Sequence, residues 1–189
     1  MFLSADEVTR SLRGTAGLIG RRPDALTHFD VSERGFWRSF GAVWLTAPAV
    51  TVALALERGA GSAPFQLDHV TVAVLAGWAA GFLAVPLAMI AVLRRLGRTR
   101  AYVPFVVVTN WCLATGLAAL ALPGCLLRLD LATPGLAALD AGAFLVVVLW
   151  LHARAARTIL GLSGPVAALI TLACFGLIAG FAGGAHVLV

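Results

Sequence analysis

Two polar side chains stand inside long apolar stretches of the sequence, where burial without a partner would be costly. Asn110 follows Thr109 near the middle of one stretch, and Asp140 lies well inside another. An amide at that depth needs a hydrogen-bond partner, so Asn110 either fixes helix packing or forms a polar step on a substrate path. A carboxylate can carry a proton or bind a cation there, but Asp140 is equally explained by a water-filled outer vestibule or a later helix start.

No catalytic or metal-binding set accompanies these residues. The three cysteines form no CxxC, and the histidines show no HxxH or HExxH spacing. The histidines lie in the N-terminal segment, at span ends or in the C-terminal tail: His28, His69, His152 and His186. The sequence around Ser163 departs from the G-x-S-x-G nucleophile elbow because Pro165 takes the last position, and it favours a helix start instead. We predict no enzymatic activity, no cofactor and no metal.

The elements that hold these residues must be membrane-spanning helices. Only 12% of the 189 residues are charged, against about 25% in ordinary soluble domains, and the mean hydropathy is +0.94. A spanning helix needs about 20 apolar residues, and five stretches qualify: 36–56, 70–93, 101–122, 134–152 and 160–187. None alternates polar and apolar residues as membrane-barrel strands do. The predicted fold is an all-α integral membrane protein with a five-helix domain over residues 36–189.

The arginines predict the orientation of these spans. All 14 basic residues are arginine, and they cluster at the ends of apolar stretches rather than along a phosphate-binding stripe, so we expect no nucleic-acid partner. Twelve fall on one side of a five-span arrangement and only Arg58 and Arg128 on the other. Cytoplasmic loops carry the excess of arginine. Since the lysine-free composition indicates a GC-rich bacterial genome, we expect the inner membrane, with a cytoplasmic N-terminus and a periplasmic C-terminus.

Residues 1–35 are predicted to form a cytoplasmic segment that begins with an amphipathic helix. Ser4 and Glu7 match a capping box. An apolar stripe at helical spacing follows, made of Val8, Leu12, Ala16 and Ile19. A basic helix of this kind lies on the membrane surface. The expected lipid-headgroup contacts are Arg10, Arg13, Arg21 and Arg22.

Glycines four residues apart occur in two predicted spans. They are Gly77 and Gly81 in the second span, and Gly176, Gly180 and Gly184 in the fifth. Small residues at this spacing let helix backbones approach closely. Packing within the chain and an interface between subunits are both open.

The Trp-Arg-Ser-Phe entry at residues 37–40, Pro48 beyond it and the Asn-Trp pair at 110–111 carry a resemblance to a known family. Together with five spans and short loops, they resemble the Yip1-like family of small polytopic membrane proteins over about residues 36–189. The resemblance implies a cytoplasmic N-terminal extension and an outside C-terminus. It implies topology rather than a mechanism.

These features favour a non-enzymatic membrane protein that organises or assembles partner proteins. The expected partners are the lipid bilayer, other membrane proteins or a second copy of the chain. The alternative is a small oligomeric transporter or channel component with Asn110 and Asp140 lining its path. The two interpretations differ in whether those side chains converge on a water-accessible cavity. An intramembrane enzyme is a third class, for which the sequence positions no His or Asp partner at depth.

Overall fold

A computed structural model describes residues 3–46 and 69–187, and this part of the chain contains helices and no strand. Four of its helices are long and apolar enough to cross a membrane. The predicted class, an all-helical protein with apolar spanning helices, is confirmed.

The N-terminal segment contains two α-helices and two 3₁₀ helices. Helix α1 (Ala5–Ile19) begins at Ser4, whose hydroxyl accepts a hydrogen bond from the Glu7 backbone N–H. A 3₁₀ helix over Ala25–His28 leads to α2 (Glu33–Ser39), which is capped by Ser32. A second 3₁₀ helix then covers Phe40–Thr46. Helix α2 therefore runs across the boundary at residue 35 that the sequence suggested between the cytoplasmic segment and the membrane domain.

The four long helices follow in an up-and-down order. They are α3 (His69–Arg95), α4 (Tyr102–Arg128), α5 (Pro134–Leu160) and α6 (Gly164–Val187), with a 3₁₀ turn at Thr99–Ala101 before α4. Thr133 caps α5 at its start, with Pro134 in the first position, and Gly161 ends it in the left-handed conformation at φ 60°. The stretches that meet the spanning requirement are Leu75–Arg95, Thr99–Leu127, Pro134–Leu160 and Gly164–Phe181.

Helices α5 and α6 have different bounds from the spans predicted over the same residues, and α4 continues six residues past the predicted end of its span at 122. The predicted fourth span ends at residue 152, but α5 continues to Leu160, so Arg154 and Arg157 lie on its last turns rather than in a joint. Helix α6 accordingly begins at Gly164 rather than at residue 160. A charged residue lowers the local hydropathy but does not end a helix. Helix α5 ends at Gly161 instead.

The first predicted span, 36–56, is described only as far as Thr46. Over those residues the chain forms the end of α2 and a 3₁₀ helix rather than one continuous α-helix. Residues 47–56 of this prediction lie outside the described residues.

Helix α4 is the central element of the bundle. In its apolar stretch 61% of the residues are buried, against 28% in α3, 22% in α5 and 17% in α6. Helix α3 packs mainly on α6, and α4 packs mainly on α5. The N-terminal segment covers the first half of α4, where the side chains of Val107, Val108, Trp111 and Cys112 are buried.

A second group of buried side chains joins the four long helices at the end where α3 and α5 finish. It comprises Met89, Leu93, Phe105, Val106, Ala156, Leu160 and Ala167. We call this end of the bundle the arginine-rich end, because it carries Arg94, Arg95, Arg98, Arg100, Arg154 and Arg157. Arg98 closes it by donating a 2.6 Å hydrogen bond from Nη1 to the Leu160 carbonyl at the end of α5.

Candidate functional site

Asn110 forms its hydrogen bond with the N-terminal segment rather than with a neighbouring long helix. Its Nδ2 donates to Ser39 Oγ at 3.0 Å, and Ser39 Oγ donates to the Phe36 carbonyl at 2.7 Å. Both polar side chains are buried, and Ser39 has no exposed surface. Asn110 therefore fastens the end of α2 to the central helix. Thr109, its neighbour, uses its hydroxyl on the Phe105 carbonyl one turn earlier in α4.

A partly buried ion pair joins the two α-helices of the N-terminal segment. Arg38 Nη1 on α2 donates to Glu7 Oε2 on α1 at 3.2 Å, and the Glu7 side chain is only 3% exposed. Glu7 therefore does not complete the predicted capping box, because its carboxylate is turned toward Arg38. Burial raises the pKa of Glu7 above its usual value, with a smaller contribution from Asp30, and the nearby Arg38 and Arg10 oppose that rise.

The end of α1 is attached to α4 and α5. Arg154 Nε on α5 donates to the Leu18 carbonyl at 2.8 Å, and the same guanidinium lies 5.8 Å from the centre of the Trp150 ring. Thr15 donates its hydroxyl to the Ser11 carbonyl within α1 at 3.0 Å, and α1 also packs against α4. The N-terminal segment thus has polar contacts with both helices that it covers.

Helix α1 has three distinct faces. The face against the bundle is small and polar, and includes Glu7, Ser11, Gly14, Thr15, Gly17 and Leu18. In the predicted apolar stripe, Leu12 (40% exposed), Ala16 and Ile19 (47% exposed) point away from the protein, whereas Val8 is half-buried against the core. The third face carries Asp6, Arg10 and Arg13, all exposed. On a helix of 3.6 residues per turn these faces lie about 120° apart.

All four arginines that were predicted to contact lipid headgroups have exposed side chains. Arg10 and Arg13 lie on the charged face of α1, while Arg21 and Arg22 follow its end. Arg21 has a positive φ of 57°, in the turn that leads the chain out of α1.

A small cavity lies where α3, α4, α5 and α6 meet, and we call it the four-helix cavity. Its volume is about 30 Å³. The polar side chains that line it are Thr109, Asn110, His152, Thr171 and Cys174. The remaining lining is apolar, from Phe82, Val85, Phe105, Leu113, Phe175 and Ile178.

His152 is the lining residue that the sequence placed wrongly, at a span end. It lies well inside α5 and is 7% exposed. Its Nδ1 donates a 2.8 Å hydrogen bond to the Val148 carbonyl, because a carbonyl oxygen can only accept. Its ring packs edge to face on the Phe175 ring, with the ring centres 4.9 Å apart. Thr171 was not predicted either. The sequence contains a signal for both. If Gly161 is taken as the end of α5, His152 and Thr171 become polar residues inside apolar helices.

Asp140 does not line the four-helix cavity. It is half-buried in the first third of α5, whereas Asn110 lies in the first third of α4. Since α4 and α5 are consecutive and antiparallel, these positions are at opposite ends of the bundle. The structure does not bring together the two side chains that were expected to line one transport path.

The predicted packing glycines have different surroundings. A Cβ atom on Gly81 would lie 2.8 Å from Ile178 Cα, so this glycine allows α3 and α6 to approach closely. Gly176 has open space around it. Gly77, Gly180 and Gly184 line a groove of about 400 Å³, which we call the α3/α6 groove. Its other lining residues are Ala73, Ala76, Ala80 and Phe181.

In comparisons with known proteins, no family model, no curated protein and no solved structure matches the chain. The contact between Ser39 and Asn110 joins two of the segments that carry the Yip1-like resemblance. The family assignment itself stays a prediction.

Proposed function

We propose that the protein is a non-enzymatic, multi-pass subunit of a bacterial inner membrane that organises or assembles partner membrane proteins. One observation carries this proposal: polar side chains of the long helices are used to fasten the chain's own N-terminal segment. Asn110 holds Ser39, and Arg154 holds the end of α1. These contacts fix the N-terminal segment as a surface at the arginine-rich end. Asn110 and Asp140 lie at opposite ends of the bundle and so do not share one site.

A cytoplasmic N-terminus and five spans belong to the same proposal. The N-terminal segment packs beside the end of α5, so its arginines lie at the arginine-rich end of the bundle. Helix α3 starts at the opposite end, which supports a fifth crossing before it. The concentration of arginine at one end supports a cytoplasmic location for that end.

The faces of α1 support a position on the membrane surface. In water, an apolar stripe with Leu12 and Ile19 exposed would be unfavourable, whereas lipid would cover it. The face with Arg10 and Arg13 would then point to headgroups and water. Because the small polar face of α1 is fixed to α4 and α5, the bundle itself sets how α1 meets the membrane.

The α3/α6 groove is the surface that we assign to a partner helix. It is lined by small apolar residues, and added side chains at Gly180 or Gly184 would meet no atoms of the described chain within 4 Å. Small residues favour helix association in membranes because they let backbones approach.

The test is a comparison of Gly180→Leu with Gly142→Leu. Gly142 is also an open, exposed helical glycine, but it lies on α5 outside the groove. Each variant and the wild type would be purified in mild detergent after cross-linking, and the complexes would be measured by mass spectrometry. We expect a stoichiometric partner with the wild type and Gly142→Leu, and its loss with Gly180→Leu. A wild-type chain that is always alone, or equal loss in both variants, would contradict the proposal.

The four-helix cavity favours the second candidate, a small oligomeric transporter or channel component. Thr109 and Asn110 line this cavity between four helices. A transport path would have to continue from there toward Asp140 at the far end. Solute flux in liposomes that is lost in both Asn110→Leu and Asp140→Asn would favour this function over an assembly role.

A further inference from the structure

The four-helix cavity contains hydrogen-bonding groups that have no partner among the described residues. Thr171 is 4% exposed, and its hydroxyl has no hydrogen bond with any described residue. The hydroxyls of Thr109 and Thr115 differ, because each donates to a carbonyl in its own helix, at 2.6 and 2.8 Å. Helical threonines normally satisfy themselves in this way, so the free hydroxyl of Thr171 needs another partner.

Asn110 presents a second unused group to the same cavity. Its Nδ2 donates to Ser39, but its Oδ1 accepts no hydrogen bond from the described residues. Arg38 Nε is the one described side-chain atom that is both fully inaccessible and unpaired, so the Thr171 and Asn110 oxygens keep access to the cavity. A buried acceptor and a buried hydroxyl on two different helices therefore face one space.

The size and charge of the cavity restrict what can fill it. Its volume of about 30 Å³ is room for about two water molecules, since each needs about 10–15 Å³ by this measure. No Asp, Glu or Arg of residues 3–46 and 69–187 lines it. An ion would lack a counter-charge in an apolar environment, which is costly inside a membrane. A neutral molecule of two or three non-hydrogen atoms meets these limits.

We propose that the four-helix cavity binds a small uncharged molecule that donates a hydrogen bond to Asn110 Oδ1 and pairs with the Thr171 hydroxyl. Water occupies the site when no such molecule is present. The aromatic rings of Phe105 and Phe175 enclose the apolar part of the ligand. The site does not depend on the proposed assembly role, because it uses different atoms from those that hold the N-terminal segment.

The test uses the full chain in lipid nanodiscs, with NMR labels on the threonine methyl groups and the asparagine side-chain amides. Formamide is the polar probe and xenon is the apolar one. We expect formamide to shift the Thr171 and Asn110 signals saturably. In Thr171→Val, which keeps the side-chain shape, the apparent Kd should rise at least tenfold. Thr115→Val is the matched control, because that hydroxyl is already bonded to the Trp111 carbonyl.

A second variant keeps the test decisive if Thr171→Val does not fold. Cys174→Leu fills the cavity and leaves both polar groups in place, so it should abolish the formamide shifts. Shifts with xenon and none with formamide would identify a dry apolar cavity and overturn the proposal. Linear, non-saturating shifts, or equal effects of the Thr171 and Thr115 variants, would also overturn it.

Discussion

Asn110 on the central helix donates a 3.0 Å hydrogen bond to Ser39, 71 residues earlier in the chain. Both side chains are buried, so each provides the other with a hydrogen-bond partner in an apolar environment. The contact connects the N-terminal segment to the bundle at a single defined register.

The Ser39–Asn110 contact predicts a measurable coupling energy. Ser39→Ala should lower the free energy of unfolding by about 1 kcal/mol, because it leaves a buried amide N–H without its acceptor. In a chain that already carries Asn110→Leu, adding Ser39→Ala should cost little more stability. The loss of unfolding free energy in the double mutant should therefore be smaller than the sum of the losses in the two single mutants. Unfolding by denaturant in mild detergent measures all three variants. Thr158→Ala, at an exposed hydroxyl bonded within its own helix, is the control, and strictly additive effects would contradict the coupling.

Arg154 is predicted to keep the end of α1 on the bundle. Arg154→Leu removes the donor to the Leu18 carbonyl, so the turn at Arg21 and Arg22 should be cleaved faster by trypsin. The rate of appearance of the first N-terminal fragment in detergent checks this, with several-fold acceleration expected. The control is Arg157→Leu, which replaces an exposed arginine about one turn further along α5. If both variants are cleaved like the wild type, α1 is held by other contacts.

Glu7 gives the N-terminal segment a specific pH dependence. Because burial raises its folded-state pKa above 4.5, the folded protein binds the proton more tightly than the unfolded chain. The resulting stabilisation is complete below pH 4.5 and is lost as the pH rises through the raised value. Arg38 and Arg10 partly oppose this effect and Asp30 adds to it.

The wild type should therefore become less stable relative to Glu7→Gln as the pH rises from 4.5 to 8. Melting temperatures of both proteins in the same detergent across this range give the difference. Glu33→Gln, at an exposed position of α2, should leave the slope unchanged. Asp30 does not interfere, since hydrogen bonds from Ser32 lower its pKa below 3.8. A wild-type advantage that grows with pH would show that the Arg38 pair outweighs burial.

Gly81 should tolerate no side chain. A Cβ at this position would lie 2.8 Å from Ile178 Cα, so Gly81→Ala must push α3 and α6 apart. We expect a loss of about 1–3 kcal/mol in the free energy of unfolding. Gly176→Ala, where an added Cβ meets open space, should be neutral or slightly stabilising. Equal stability of the two variants would mean that the close approach is not required.

The proposed surface position of α1 predicts how a probe on its apolar stripe would behave. A nitroxide attached at Ala16→Cys should collide more often with oxygen, which concentrates in lipid, than with a water-soluble nickel complex. The same label at Arg13→Cys, on the charged face, should show the opposite preference. Continuous-wave electron paramagnetic resonance in anionic nanodiscs measures both. Two labels with the same aqueous preference would place α1 off the membrane.

The sequence could predict those elements that depend on contiguous residues. Apolar length and low charge identified the long helices, and Ser4 and the Thr133–Pro134 pair mark helix starts that side-chain caps explain. The ends of the helices could not be predicted in the same way. Arg154 and Arg157 lower the local hydropathy to the level of a loop, although α5 continues to Leu160. The interpretation of Asn110 as a packing residue or a path residue stayed open, since its partner is not a neighbour in sequence.

The sequence by itself determined that this chain is a helical protein with long apolar helices of membrane-spanning length, and that its arginines cluster at the ends of apolar stretches. Hydropathy and charge depend only on the order of residues in the chain, so they can be assessed without knowing how the helices pack. Only the tertiary structure decided that α1 turns its small polar face to the bundle, that Asn110 meets Ser39, and that His152 and Thr171 face one cavity. Such contacts depend on how helices cross and rotate against one another, and apolar side chains of similar hydropathy leave those rotations undetermined. Close packing at Gly81 and directed hydrogen bonds at Asn110 and Arg154 select one arrangement among them.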